Sequence, residues 1–179
     1  MSGRTAVGSG PLCAGLTRSS REPYYSPHVN AGRVARIFIG PEENGPIQEI
    51  AEIEAVAGKG LVGDRYFQDG SGEHDPALEV TLFSMEGLEA SRADSGLDIE
   101  AADLRRNLMT EGVQLSDLLG RRFSAGDVVF EGLEENPPCA HLQRLAGKPL
   151  LKPLIGRAGI RARIVAGGTI RTGDAIRAL

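Results

Sequence analysis

The sequence predicts a mainly β protein, a closed or nearly closed barrel with only a few short helices. Three observations carry that prediction. From residue 33 onward, short apolar runs are separated by Gly, Pro, Asn and Asp, the punctuation of strands and turns. Several of these runs alternate apolar and polar residues with a period of two, as half-buried strands do. And Gly-Asp recurs between strand-like pieces, in Arg122-Phe123-Ser124-Ala125-Gly126-Asp127-Val128 and in Thr169-Ile170-Arg171-Thr172-Gly173-Asp174-Ala175-Ile176. Gly permits positive φ and Asp bonds nearby backbone amides, so both segments read as tight turns. Several short strands with few helices favour a barrel.

The elements follow in order. Residues 34–39 are a β-branched and aromatic run ended by Gly40-Pro41, and 42–46 are turn-like. Residues 50–56 set Ile50, Glu52, Glu54 and Val56 against Ala51, Ile53 and Ala55, one strand entering Gly58-Lys59-Gly60. Residues 78–83 alternate Leu78, Val80 and Leu82 with Glu79 and Thr81. Residues 128–133 and 160–166 behave alike, the latter with Ile160, Ala162 and Ile164 on one face and Arg161 and Arg163 on the other. A helix is expected over 85–93, with Ser84 as N-cap and Ser95-Gly96 as its stop. A second, short helix covers 140–146 after Pro137-Pro138, ending at Gly147.

Composition bounds the rest. The chain has 179 residues, 41% hydrophobic and 25% charged, which excludes collagen-like, fully disordered and membrane-embedded classes. Its 24 Gly are about 13% of the chain, against about 7% in average proteins, and Trp is absent, so the core is expected to be aliphatic. Residues 1–32 hold five Gly, five Ser, three Pro, three Arg and one acid, Glu22, without apolar periodicity. They are expected to be an unstructured leader before one domain at 33–179; the amphipathic stripe of an organelle transit peptide is missing. The leader carries +2 of a net −4, so the domain carries −4 − 2 = −6. That charge argues against a nucleic-acid or anionic-membrane binder. Arginine dominates the cations, 17 against three Lys, a bias that GC-rich coding also produces. Cys13 and Cys139 make no disulfide framework and no CxxC pair, which fits a reducing, cytoplasmic setting. No apolar stretch approaches a spanning helix.

A few residues invite chemistry. Cys139 stands at the start of the 140–146 helix behind two stiffening prolines, where a thiolate is favoured. Read from the residues alone it is either a small buried hydrophobe or a reactive, ligating thiol. His141, two residues on, does not share its helix face. The loop Gly60-Leu61-Val62-Gly63-Asp64-Arg65-Tyr66 offers open backbone amides for an anion, with Arg65 as clamp, or simply a turn. In Asp103-Leu104-Arg105-Arg106-Asn107-Leu108, a strand would put Arg105 and Asn107 inward for a ligand and Arg106 outward, or the segment is a solvated basic stretch paired with acids. His74, flanked by Glu73 and Asp75, reads as a loop residue rather than a metal ligand. No Ser-His-Asp order, Walker loop, GxGxxG motif or Schiff-base lysine is evident.

Taken together, Gly60 to Arg65, Arg105-Arg106-Asn107-Leu108, Gly120-Arg121-Arg122-Phe123 with Gly126-Asp127, Pro138-Cys139 and the Gly-rich end from Gly159 to Ile176 resemble the molybdenum cofactor sulfurase C-terminal (MOSC) domain. The resemblance runs from about Arg33 to the C-terminus, in the family's order. It implies a pyruvate-kinase-type β-barrel and binding of the molybdenum cofactor, a pterin dithiolene bearing a phosphate. It makes Cys139 the sulfur-handling or metal-ligating residue and places Arg105 and Asn107 at the cofactor, with Arg65, Gly63, Asp64, Ser84 and Arg163 (or Arg161) around it. It further implies either reduction of N-hydroxylated or similar oxygenated compounds, with electrons from a reductase or ferredoxin-like partner, or carriage of persulfide sulfur from a cysteine desulfurase. Cofactor storage and delivery, and a ligand-free interaction barrel, are the remaining alternatives. The chain has no room for a fused pyridoxal-phosphate domain, so that cofactor is not expected on it.

Overall fold

The computed structural model describes residues 32–68, 70 and 74–179. Residues 1–31 of the expected leader, with Cys13, and Glu73 lie outside the described residues, while Gly32, placed at the leader's end, begins the first strand. The strands are β1 (Gly32–Ile39), β2 (Gln48–Ile50), β3 (Glu52–Val56), β4 (Gly60–Leu61), β5 (Val80–Ser84), β6 (Leu108–Glu111), β7 (Arg122–Ala125), β8 (Val128–Asn136), β9 (Gly159–Ala166), β10 (Gly168–Arg171) and β11 (Ala175–Ala178). The helices are α1 (Met85–Ser95) and α2 (Ala140–Ala146), with 3-10 turns at Pro76–Leu78, Ala101–Leu104 and Leu115–Leu118.

Seven strands run in the order β11-β7-β8-β9-β5-β6-β1, and β1 pairs back to β11 at Gly32↔Ile176 and Arg33↔Ala175, which closes the barrel. All neighbours are antiparallel except β5 and β6, whose parallel pairing is made possible by the α1 crossover. A small sheet, β10-β3-β4, stands beside the ring.

The alternation in the sequence points inward as expected: Val34, Ile37, Leu82, Phe130, Ile160, Ala162 and Ile164 fill the barrel, with Phe123 and Phe130 stacked at 5.2 Å. The second Gly-Asp turn is locked against the first. Asp174 accepts from Arg171 N, and a Cβ on Gly126 would lie 2.5 Å from Asp174 Oδ2, so that position requires its glycine twice over, by space and by its φ of +57°.

Two expected elements come out differently. The single strand at 50–56 is two, because Ile50 pairs with Ile37 of the barrel while Glu52–Val56 turns away to pair with β10. Leu78 belongs to a 3-10 turn capped by Asp75, which leaves Val80 to begin the strand.

A second apolar cluster outside the ring places the site. Phe38, Phe83, Leu88, Ile99, Leu104, Met109, Leu142 and Leu150 pack together, so α1, α2 and the 3-10 turn at Ala101–Leu104 share one wall of the barrel. Leu104 immediately precedes Arg105 and Leu142 lies three residues past Cys139, so this cluster holds the arginine segment beside the thiol. Lys148 adds a bond to Asp103 Oδ2 at 2.5 Å.

Candidate functional site: an arginine-lined cavity beside Cys139

The end of β1, the 64–66 loop, Thr81 of β5, the 105–107 segment, the end of β8 and Arg161 of β9 surround a hollow of about 80 Å³. It adjoins a cavity of about 330 Å³ that reaches Cys139, His141 and Leu145, and the two share Arg65, Tyr66, Arg105, Arg106, Asn136 and Arg161.

The backbone explains why three consecutive side chains line it. Arg105 takes a left-handed conformation, φ 52° and ψ 39°, at the end of its 3-10 turn. Asn107 then donates its backbone N–H to Thr81 at the mouth of β6. A left-handed residue breaks the period of two, so Arg106 turns inward along with its neighbours. The expectation of an outward Arg106 is thereby corrected.

Four guanidiniums face this space with few acids among them. Arg65 donates to Gly40 O at 3.3 Å and lies over the Tyr66 ring at 4.3 Å. A side chain at position 40 would collide with Arg65 Nη1, so Gly40 makes room for it. Arg105 donates to Gly45 O at 2.9 Å, and Arg106 to Asn136 O at 3.0 Å. Arg161 reaches Glu134 at 3.5 Å. Burial, and then the charge of Arg65, push Arg105 below the ordinary arginine range. Burial pushes Arg106 down to about 10, with repulsion from Arg161 adding to it and Cys139 acting in the opposite sense. Among the described residues three buried donors find no partner: Arg105 Nη2, Arg106 Nε and Asn136 Nδ2. All three belong to residues lining both hollows, and buried donors are normally satisfied. Clustered cations with unspent N–H groups are a site for an oxyanion.

Cys139 is exposed, at the N-cap of α2, and its side chain makes no capping bond. The thiol stands on the rim of the larger cavity, so the buried-hydrophobe reading gives way to an accessible one. His141 Nδ1 accepts from Arg144 Nη2 at 2.6 Å.

The remaining sequence candidates fall elsewhere or serve other ends. Asp64 is buried and acts as a hub: Oδ2 accepts from Gly40 N at 3.0 Å and from Asn107 Nδ2 at 3.2 Å, while Oδ1 accepts from Tyr66 N at 3.1 Å. The amides of Val62, Asp64, Arg65, Tyr66 and Phe67 are all bonded within the protein, so this loop is not the open anion cradle expected of it; Gly63, at φ 85°, serves its turn. Ser84 caps α1 through Gly87 N and lines a different groove, with Leu115, Pro138 and Leu154. Arg163 is paired with Glu131 at 2.8 Å on the outer surface, and Arg161 takes the cavity position instead. His74 bonds the buried Glu79 at 2.6 Å, and Glu79 also accepts from Ile164 N. Among the described residues no group of His, Cys, Asp and Glu is arranged to hold a metal ion by itself, and no helix is long and apolar enough to cross a membrane. Sequence reasoning missed Asn136. Its signal was its place three residues before Cys139, at the end of a strand.

A closed, mostly antiparallel barrel with an arginine-lined cavity beside an exposed cysteine defines the class of protein as a small β-barrel with a cationic pocket. The MOSC domain family model matches residues 69–177, more than half of the chain, and the protein belongs to the MOSC family. Solved structures agree in fold. The YuaD protein of Bacillus subtilis is similar over 83% of this chain and 95% of its own, at 18% identity and a TM-score of 0.71. YiiM of Geobacillus stearothermophilus is similar over 83% of this chain and 75% of its own, at 16% identity and TM-score 0.62. YiiM of Escherichia coli gives 83% and 69%, at 17% identity and TM-score 0.59. No curated protein matches the sequence.

Proposed function

We propose that this MOSC protein binds the molybdenum cofactor, with its phosphate and polar pterin edge on Arg65, Arg105, Arg106 and Arg161 and with Cys139 as the thiolate ligand of the metal. What supports the reading is the set of three buried, unpartnered donors in an arginine-lined cavity whose rim carries the thiol. An oxyanion supplies acceptors for such donors, and a thiolate suits a thiophilic, sulfur-rich metal. The residues present therefore fit the group.

When bound, the cofactor supplies a molybdenum centre able to take an oxygen atom from an N-hydroxylated or similarly oxygenated compound, with electrons returned by a reductase or ferredoxin-like partner. The protein's own residues bind and orient. The guanidiniums would neutralise negative charge, and two of them are held in advance by a second bond, Arg105 to Gly45 O and Arg106 to Asn136 O. The open position of Cys139 leaves the metal end accessible to a substrate and to a partner, in a cytoplasmic setting that keeps the thiol reduced.

The exposure of Cys139 also favours a second reading, in which the thiol carries persulfide sulfur received from a cysteine desulfurase. One preparation separates the two. Purified from cells that make the cofactor, the protein is expected to contain molybdenum and pterin, to lose molybdenum in Cys139→Ala while staying folded, and to reduce a hydroxylamine with an artificial electron donor. Cyanide-labile sulfur on Cys139 without molybdenum would instead select the carrier. Finding neither would refute both.

A further inference from the structure

The two asparagines at the cavity differ in how much of their hydrogen-bonding capacity is spent. Asn107 has none left. Its Oδ1 accepts from Thr81 N at 3.0 Å and from Thr81 Oγ1 at 2.8 Å, and its Nδ2 donates to Phe38 O at 3.3 Å and Asp64 Oδ2 at 3.2 Å. Two bonds at each end are the full complement of a side-chain amide. Asn136 is the opposite case. It is 3% exposed, its backbone carbonyl accepts from Arg106, and its side-chain Nδ2 has no partner among the described residues.

We infer that Asn136, and not Asn107, is the amide that meets the bound anion, with Arg106 Nε beside it, and that Asn107 and Asp64 are positioning residues that never touch it. The inference rests on the reading of the cavity as an anion site. Asn136 suits the task for reasons of connectivity. Its backbone pairs with Gly159 at the end of the β8–β9 ladder, so its position is set by the barrel. Pro137-Pro138 then carry the chain directly from it to Cys139, joining the oxyanion end of the site to the thiol end by a short, stiff path. Asn107 works from behind: by tying β1, β5 and Asp64 together it holds open the corner on which Arg65 and Arg105 stand. A ligand contact by Asn107 would break a bond the fold already uses, whereas one by Asn136 satisfies a donor otherwise left bare.

The test uses the full, ligand-free chain and inorganic phosphate as probe, in a low-salt chloride buffer, with affinity taken from titration calorimetry and from the rise of the unfolding midpoint with phosphate. Asn136→Ala is expected to bind phosphate about tenfold more weakly, equivalent to about 1.4 kcal/mol, with a ligand-free midpoint that is unchanged or raised. Asn136→Asp, which replaces the donor with a carboxylate, is expected to lose phosphate binding more completely. Asn107→Ala is expected to lower the ligand-free midpoint by several degrees. At a temperature where it is folded, it should keep phosphate affinity within about threefold of the parent chain. A purely structural Asn136 would show the reverse, a lowered midpoint with intact binding. That result, or undiminished affinity in both Asn136 variants, overturns the inference and leaves the anion site standing. Absence of phosphate binding by the parent chain overturns the anion site and the inference together.

Discussion

Arg106 is where the structure makes its sharpest energetic demand, and Arg106→Met tests it. Burial and the neighbouring Arg161 hold the guanidinium down to about 10, about 2.5 pH units below the ordinary arginine value, which at about 1.4 kcal/mol per unit is a cost of about 3.5 kcal/mol in the ligand-free chain. The bond to Asn136 O returns about 1–2 kcal/mol of that. Methionine has similar length and no charge, so the ligand-free variant is expected to be about 2 kcal/mol more stable, a rise of about 4–8 °C in unfolding midpoint. The sign with pH follows from proton counts. Above pH 10 the folded state releases the Arg106 proton before the unfolded chain does, so stability of the parent rises with pH there, and the gap between the two proteins narrows. Below pH 10 the gap is full. Phosphate reverses the order: it raises the parent's midpoint and leaves the variant's nearly unmoved. Thermal unfolding at pH 7.5, with and without 50 mM phosphate (a concentration on the order of weak anion affinities), measures all of this. A ligand-free midpoint that falls by more than a few degrees, or equal gains in both proteins with phosphate, would refute the account of Arg106 as an anion contact held at a cost.

Further outcomes follow from other contacts. Arg161→Ala is expected to weaken phosphate binding, whereas Arg163→Ala, which removes only an exposed pair with Glu131, leaves it unchanged in the same titration. Asp64→Ala strands three N–H donors, of Gly40, Tyr66 and Asn107, and is expected to cost about 3 kcal/mol in urea unfolding. Gly159→Ala puts a methyl into Leu82 O across the β5–β9 ladder and is expected to yield insoluble protein, or a midpoint lower by well over about 5 °C. Phe130→Ala, which removes one of the stacked pair in the barrel, is expected to cost about 3–5 kcal/mol in the same urea assay.

Much of this fold is written in periodicity and punctuation. The alternation at 160–166 places Ile160, Ala162 and Ile164 inside because a strand on a barrel has only two sides, and Ser84 and Gly96 cap α1 because a helix end needs those groups wherever it lies. What alternation does not encode is the partner. Residues 51–55 alternate Ala51, Ile53 and Ala55 with Glu52 and Glu54 in one unbroken run from Ile50 to Val56, yet the run divides between two sheets, since nothing local distinguishes pairing with β1 from pairing with β10. Arg161 and Arg163 occupy one face of β9 two residues apart, and only the register, which sets Arg163 opposite Glu131, decides which of them enters the cavity. The inward turn of Arg106 had still less to announce it. Left-handed backbone usually shows itself as Gly or Asn, and here Arg105 adopts it because its guanidinium is held by Gly45 O and the 3-10 turn before it is fixed by Leu104. Cys139, by contrast, was legible with its helix and its prolines; its exposure was not.

The ring closes at its last pairing, between the first strand and the eleventh, and the cavity draws on both sides of it: Gly40 and Arg65 come early in the chain, Asn136 and Arg161 late. Unlike a phosphate loop, whose donors lie within one short stretch, this site has a high contact order and exists only when every long-range pairing has been made. Fragments and partly folded chains therefore carry no weak version of it. On the proposed function, anion binding would be a readout of completed folding, and a cellular supply of the ligand would act as a selective check on which newly made molecules have finished.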